Sequence, residues 1–407
     1  MALMHSLGYT FSLKKCCPKP TTFGIFLGLQ VDTLAQQFSI PEKKLETFST
    51  LREHILTLKV VPLRTLQRFA GKACSFILCV PGAKLFCREL NRAIAKNDNV
   101  PMYEALKEEI THWRFLDSFS DWKPWRSEKH VQLQIATDSS GHAWGVHTSL
   151  GSFRDYWTGL DLAPHIHIKE GKAVVNALMA LSVHIKGTTV DVLCDNQAFV
   201  RAWNSEGCRD RDLTSLVKSV FSITNKLNCD ITITYVNTKN NLADLPSRVI
   251  SAADCSLAKP LWDTVEKAFG PHTWDLMSLD SNVPNGSDGK PLPHFTPFPS
   301  PHSCGVNVLA QELSIEHTYY CFPPFVMIPV ILRFLTQYQP TLSFTMIVPK
   351  QHPLPSWWPT IWSSSTSGIK LASKGDSNCL RVPSKKGFVI SNLPLHFDLY
   401  AFQFLRE

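Results

Sequence analysis

The sequence predicts an α/β chain of several parts: a mixed sheet with flanking helices in the middle, a helical segment before it, and a proline-rich linker and small α/β segment after it. Three observations carry this. Between 131 and 250, short runs of strand formers are interleaved with stripes of helical period. Between 41 and 118 the apolar residues repeat at helical spacing alone. After about 280 the composition shifts to proline. The 407 residues exceed one ordinary domain. Hydrophobic residues at 44% against 18% charged let each part bury a core.

Residues 1 to 40 read as a β-hairpin, because Phe23-Gly24-Ile25-Phe26-Leu27-Gly28-Leu29-Gln30-Val31 is rich in strand formers with glycines for the bend. Residues 41 to 118 read as helices, with Pro41 and Pro62 where helices favour a start. From Pro62, Leu66, Phe69, Ala70, Ala73, Phe76, Ile77 and Val80 form one apolar stripe. Strands are expected at Val131–Thr137, Trp144–His147, Ser152–Tyr156, Thr189–Cys194 and Ile231–Val236, and helices at Glu170–His184 and Asp212–Leu227. Asp280 to Gly305 holds six prolines, at 284, 291, 293, 297, 299 and 301, and reads as a linker. The expected parts are therefore 1–125, 130–250, a linker over 251–305, and 306–407.

The net charge is +7. Residues 41 to 100 carry 11 Lys/Arg against 5 Asp/Glu, so nearly all the excess sits there and suggests a polyanionic partner. Arg64, Arg68 and Lys72 fall four apart on one helix, and Lys84, Arg88, Arg92 and Lys96 do the same on the next. Such stripes contact successive phosphates, although a solvated helix face produces the same spacing. The 12 cysteines contain no CxxC pair, so Cys16, Cys17, Cys74, Cys79 and Cys87 read as packed or idle thiols. No secretory signal opens the sequence and no stretch reaches about 18 apolar residues. The expected setting is cytoplasmic or nuclear, not secreted, with no membrane span; the oligomeric state is not fixed by these features.

Four acids stand out by position. Asp138 ends a strand in Ala136-Thr137-Asp138-Ser139-Ser140-Gly141; Glu170 opens a helix; Asp195 ends another strand in Leu193-Cys194-Asp195-Asn196; Asp244 lies in a short final helix. Taken singly, each is an ordinary cap or solvated acid. Together, strand ends and a packed helix project from one end of a sheet. Carboxylates so gathered repel unless a cation neutralises them. Magnesium suits them, being hard and oxygen-seeking, and two such ions roughly 4 Å apart support in-line displacement at phosphorus by water. His165 and His167 share a face two residues apart, but with no third ligand in view they read as surface residues.

Asp, Glu, Asp, Asp in this order resembles retroelement RNase H. Thr137-Asp138-Ser139-Ser140-Gly141 with Gly145-Val146 is similar to that family's first strand and turn, and Glu170 with Ala173 and Ala177 to its first helix. Cys194-Asp195-Asn196-Gln197 resembles its third acidic motif, and Asn240-Asn241-Leu242-Ala243-Asp244-Leu245-Pro246-Ser247-Arg248 its closing motif. The gaps of 32, 25 and 49 residues suit the fold. The resemblance implies an RNase H-like mixed sheet and metal-dependent cleavage of the RNA strand of an RNA–DNA hybrid. Asp138, Glu170, Asp195 and Asp244 would hold two Mg2+ ions, with Mn2+ as the alternative. The resemblance further implies nucleic-acid contacts from Arg64, Arg68, Lys72, Lys84, Arg88, Arg92, Lys96, Ser139 and Asn196. Many relatives carry a His in the loop before the last Asp; Val236-Asn237-Thr238-Lys239-Asn240 has none.

Phe26-Leu27-Gly28-Leu29-Gln30-Val31-Asp32 and Ile40-Pro41-Glu42-Lys43-Lys44-Leu45 look like the end of a reverse-transcriptase palm leading into thumb and connection. No Asp-Asp occurs anywhere, so no polymerase activity is expected from this chain. Trp274-Asp275-Leu276, Gly305-Val306-Asn307 and Tyr320-Cys321-Phe322-Pro323-Pro324-Phe325 resemble the region after RNase H in DIRS-type and Ngaro-type retrotransposons, some of which carry a methyltransferase-like domain there. Phe322 replaces the polar residue of the Asn/Asp-Pro-Pro-aromatic motif, so a degenerate or structural segment is implied. Two other readings stand. One is a co-opted fragment that binds nucleic acid and cleaves nothing. The other takes Asp138-Ser139-Ser140-Gly141 as the phosphate loop of a sugar-kinase-like ATPase, which needs a second glycine-rich motif that does not follow.

Overall fold

The computed structural model describes residues 2–10, 12, 19–120, 130–339 and 341–405; Cys16 and Cys17 lie outside them. The chain forms two compact units, the first up to residue 120 together with Ser205–Cys208, the second from His130 to Asn204 and from Arg209 onward.

In the first unit, strands β1 (Phe23–Phe26), β2 (Leu29–Asp32) and β3 (Gln37–Ser39) form an antiparallel meander. The turn between β1 and β2 is Leu27-Gly28, both at positive φ, as a two-residue hairpin of right-handed twist requires. Helix α1 (Glu42–Thr57) starts after Pro41 and α2 (Leu63–Cys74) after Pro62, where the missing proline N–H costs no helical bond. Helices α3 (Arg88–Ile94) and α4 (Glu104–His112) complete the unit. Phe48 stacks on Phe69 at 4.6 Å and meets Trp113 edge-on at 5.6 Å. Arg52 is buried beside them, held by the Asp117 carboxylate at 2.6 and 3.0 Å and the Trp113 carbonyl at 2.9 Å, so its charge and donors are matched.

The second unit begins with a five-stranded sheet of order β8-β7-β4-β5-β6. Its strands are β4 (Leu133–Ser139), β5 (Ala143–Thr148), β6 (Gly151–Tyr156), β7 (Thr189–Cys194) and β8 (Asp230–Tyr235). β4, β5 and β6 are antiparallel neighbours, while β7 runs parallel to β4 and β8 parallel to β7. The crossovers use α5 (Ile166–Ala180), α6 (Gln197–Asn204) and α7 (Arg211–Lys226). Ala173, Val174, Ala177 and Leu178 of α5 and Leu213, Val217 and Val220 of α7 are buried with Ile135, Val190 and Val192 of the strands. A short helix α8 (Asp244–Arg248) follows.

The stretch 251–305 is not a linker. Its exposed prolines 291 and 293 alternate with buried Leu292 and His294, so an extended backbone turns every second side chain inward. Phe295–Thr296 pairs with Gly305–Val306, the Pro293 carbonyl accepts from the Asp275 N–H at 2.9 Å, and His294 bonds Asp280 at 2.8 Å. The stretch itself contains helix α9 (Lys259–Phe269) and the first strand of a second five-stranded sheet, of order β9-β10-β11-β13-β12. These strands are β9 (Trp274–Asp275), β10 (Thr318–Cys321), β11 (Ser343–Lys350), β12 (Ser367–Ala372) and β13 (Asp398–Phe404). β9, β10 and β11 are parallel; β13 runs antiparallel between β11 and β12. Apolar clusters cover both faces, one with Trp262 and Val265 of α9, the other with Ile331, Leu335, Trp358 and Ile361.

The two sheets belong to one unit. Buried Asp155 of β6 accepts from the Ser281 hydroxyl, and Arg154 and Tyr156 reach Asp254 at 2.9 and 2.6 Å. Ala143, Tyr156 and Leu279 close an apolar contact between them. Among the described residues no helix is long and apolar enough to cross a membrane.

Candidate active site

The parallel pairing of β4 and β7 puts Thr137 opposite Cys194, so Asp138 and Asp195 follow one another off the same end of neighbouring strands. Asp138 is 3% exposed. Burial pushes its carboxyl up to about 6; the Asp195 and Asp244 charges add to the rise and the Ser247 hydrogen bond opposes it. Glu170 is pushed up to about 7, by burial first and by the Asp195 and Asp138 charges after it. Asp138 therefore feels the charges of Asp195 and Asp244, and Glu170 those of Asp195 and Asp138. Helix α5 opens at Ile166, one turn before Glu170, so Glu170 faces the strand ends from inside the helix and does not start it.

Gly145 fixes the last member. It pairs with Asp138 across β4 and β5, and a Cβ on it would run into the Ser247 backbone nitrogen and lie 2.9 Å from the Pro246 carbonyl carbon. Only glycine lets α8 lie this close to β5. The Ser247 hydroxyl then donates to Asp138 Oδ2, and Asn241 donates to the Thr137 carbonyl at 2.9 Å while capping Ala243 N–H at 3.1 Å. Asp195 Oδ2 accepts from Thr238 at 3.0 Å. Buried Lys169 donates to the carbonyls of Gly141 at 2.7 Å and Leu162 at 3.0 Å and so holds the turn after β4. Asn241 and Ser247 stand in the closing motif and Thr238 in the loop before it, but the positioning roles of these three and of Lys169 are not legible in the sequence. Each bonds a partner between 28 and 109 positions away, so the motif spacing does not reveal its role.

Two observations bear on a metal. Asp195 Oδ1 is buried and has no hydrogen-bond partner among the described residues, and the donors gathered here are all hard carboxylate oxygens, which suits a divalent cation. Against this, no three His, Cys, Asp or Glu side chains among the described residues stand as a group able to hold an ion. Two of the acids are engaged by protein partners. Arg248 donates twice to Asp244 Oδ1, at 2.6 and 2.8 Å, and Ser247 occupies Asp138. The donor set fits the cation in kind, while its side chains are tied to protein partners. His165 and His167 meet each other at 2.8 Å, and His167 lies 3.7 Å from Asp210.

Several expected contact residues are placed otherwise. Ser139 is buried, accepting from the Trp157 indole at 3.2 Å, and Asn196 is buried, donating to the His167 carbonyl at 2.7 Å and capping Phe199 N–H at 3.0 Å. Both side chains are engaged by the scaffold. The second basic stripe is also broken. Helix α3 covers only Arg88–Ile94, so Lys84 and Lys96 lie off it. Arg88 donates to the carbonyls of Glu206 and Gly207 at 2.9 and 2.8 Å, and Arg92 pairs with Glu89. On α2, Arg64 and Arg68 are exposed, whereas Lys72 bonds Thr47 at 3.1 Å.

No protein-family model matches the chain, and no curated protein matches it. Among solved structures it is similar to LC11-RNase H1 in complex with RNA/DNA hybrid, at 17% identity and a TM-score of 0.25, over 28% of this chain and 92% of that one. It is similar to the N-terminal RNase H domain of a Mycobacterium tuberculosis protein, solved as a fusion with maltose-binding protein, at 18% identity and a TM-score of 0.24, over 29% and 94%. It is also similar to a foamy viral protease-reverse transcriptase in complex with dsDNA, at 14% identity and a TM-score of 0.23, over 55% of this chain and 46% of that one. Likenesses of this depth carry no function to the chain.

Proposed function

We propose that the chain is a retroelement-derived hydrolase that cleaves the RNA strand of RNA–DNA hybrids. One observation carries the reading: burial and the neighbouring acidic charges raise the proton affinity of Asp138 and Glu170 together, while Asp195 Oδ1 beside them has no partner among the described residues. Buried like charges are costly for a scaffold and useful for a site that loads cations. Asp138, Glu170, Asp195 and Asp244 would hold Mg2+ or Mn2+, which when bound supplies an activated water and neutralises charge at the phosphate. The chain's own residues do the rest. Ser247 and Thr238 orient Asp138 and Asp195, and Gly145 admits the helix that carries Asp244. Exposed Arg64 and Arg68 on α2 offer positive charge to a duplex backbone. RNA is distinguished from DNA by its ribose hydroxyl. The DIRS- or Ngaro-type origin, and a degenerate methyltransferase-like role for the second sheet, belong to this reading; Phe322-Pro323-Pro324-Phe325 starts directly after β10.

A binding protein without cleavage is the second reading, favoured by the ties of Asp244 to Arg248 and of Asp138 to Ser247. A labelled RNA–DNA hybrid separates the two. Magnesium-dependent cutting of the RNA strand by the wild type, absent from Asp195→Asn, supports the hydrolase. Hybrid retained on the protein and uncut in magnesium and in manganese supports the binder.

A further inference from the structure

The second sheet carries a cavity of about 510 Å³ that is separate from the acidic quartet. It opens where ligands collect in open sheets with parallel strands, beyond their carboxyl ends: Asp275 is the last residue of β9, and Phe322 follows the last residue of β10. Trp262, Tyr320 and Phe322 give it aromatic walls. Two hydroxyls on its lining, Ser278 Oγ and Ser256 Oγ, are buried and form no hydrogen bond of full geometry among the described residues, although Ser278 sits against the Asp275 carboxylate; Ser278 is only 6% exposed. Buried polar groups are nearly always paired, so these two mark bonds that an occupant completes. The Asp275 carboxylate is buried on the same lining and spends one oxygen on Met277 N–H at 2.9 Å. Arg381 supplies the opposite charge. Its half-buried guanidinium lies 5.3 Å from the Phe388 ring and has no carboxylate partner among the described residues. Lys259, the other cation on the lining, is taken by Asp263 at 2.8 Å.

We propose that this cavity binds a mononucleotide, its ring against Trp262, Tyr320 or Phe322, its hydroxyls on Ser278 and Asp275, and its phosphate on Arg381. A flat ring, several hydroxyls and an anionic group are what these side chains together can satisfy; an apolar ligand would leave Arg381 and both serines unpaired. The site needs neither metal nor hybrid, so it stands whether or not the quartet cleaves RNA.

Calorimetric titration of the full chain in EDTA tests this with 5′-AMP, adenosine and ribose 5-phosphate as probes. The wild type should bind AMP about tenfold more tightly than adenosine, one charge-assisted contact's worth, and ribose 5-phosphate weakly. Arg381→Gln should make AMP and adenosine equal while leaving adenosine binding unchanged. Ser278→Ala should weaken AMP and adenosine several-fold and keep their ratio. Circular dichroism melts confirm that both variants stay folded. Absence of AMP binding at millimolar concentration overturns the assignment, as does AMP binding that neither variant alters.

Discussion

Replacing Asp138 with asparagine should stabilise the metal-free protein. The Asp138 carboxyl is held at about 6 against 3.8 for an ordinary aspartate. At about 1.36 kcal/mol per pH unit, its ionised form destabilises the fold by about 3 kcal/mol near neutrality. Asparagine keeps the shape and still accepts from Ser247, and the raised value already contains the charge on that bond, which opposes the rise. The gain of about 3 kcal/mol corresponds to a Tm increase of roughly 6–12 °C for a unit of this size. The sign of the pH dependence follows from the raised carboxyl. The folded state holds the proton more tightly than the unfolded chain, so wild-type stability is full below the ordinary value and falls as pH rises through about 6. The gap between variant and wild type should therefore open between about pH 4 and 6 and stay open above. Scanning calorimetry in EDTA at about pH 7.5 and about pH 3.5 measures both ends. An Asp138→Asn protein no more stable than the wild type at the higher pH, or an equal gap at both, would refute the account of the cleft as mutually repelling carboxylates.

Other consequences follow from the same geometry. Mg2+ or Mn2+ should raise Tm more at about pH 8 than at about pH 5, because protons on Asp138 and Glu170 compete with the cation, and Asp195→Asn should abolish the rise. Gly145→Ala should cost about 1–3 kcal/mol in thermal denaturation and abolish cleavage, since the added carbon displaces α8. Arg64→Ala with Arg68→Ala should leave Tm unchanged and weaken hybrid binding, lowering the salt slope by about 0.9 for each phosphate no longer neutralised. Arg88→Ala should do the reverse, lowering Tm with little change in binding, because its guanidinium holds carbonyls of its own unit.

What could be read from the sequence tracks the range of the forces involved. The strands Leu133–Ser139 and Thr189–Cys194 were legible because runs of strand formers are a local signal, and a bend near Gly28 because glycine tolerates positive φ; that Leu27 shares that conformation was not. Asp138 and Asp195 were legible as strand-end acids, since periodicity places a strand's end to within a residue or two. The start of α5 was not, because His165-Ile166-His167 carries no capping signal and the helix begins on tertiary support. The proline run misled for a different reason. Proline fixes extended backbone, and extended backbone serves a linker and a packed segment equally; only the partners of Leu292, His294 and Phe295 decide. Composition likewise could not separate exposed Arg64 from Arg88, whose partners lie 117 to 119 positions away. Ser139 and Asn196 sit beside the acids in sequence, yet their side chains turn into the scaffold.

If Asp138 of β4, Glu170 of α5, Asp195 after β7 and Asp244 of α8 hold divalent cations together, the chain should bind them as a set. Electron paramagnetic resonance titration of Mn2+ into the full chain, with an RNA–DNA hybrid present, tests it most directly. The wild-type chain should bind two ions saturably, and Asp195→Asn should lose bound Mn2+. Binding that survives this substitution unchanged, or no binding in the wild type, would contradict it.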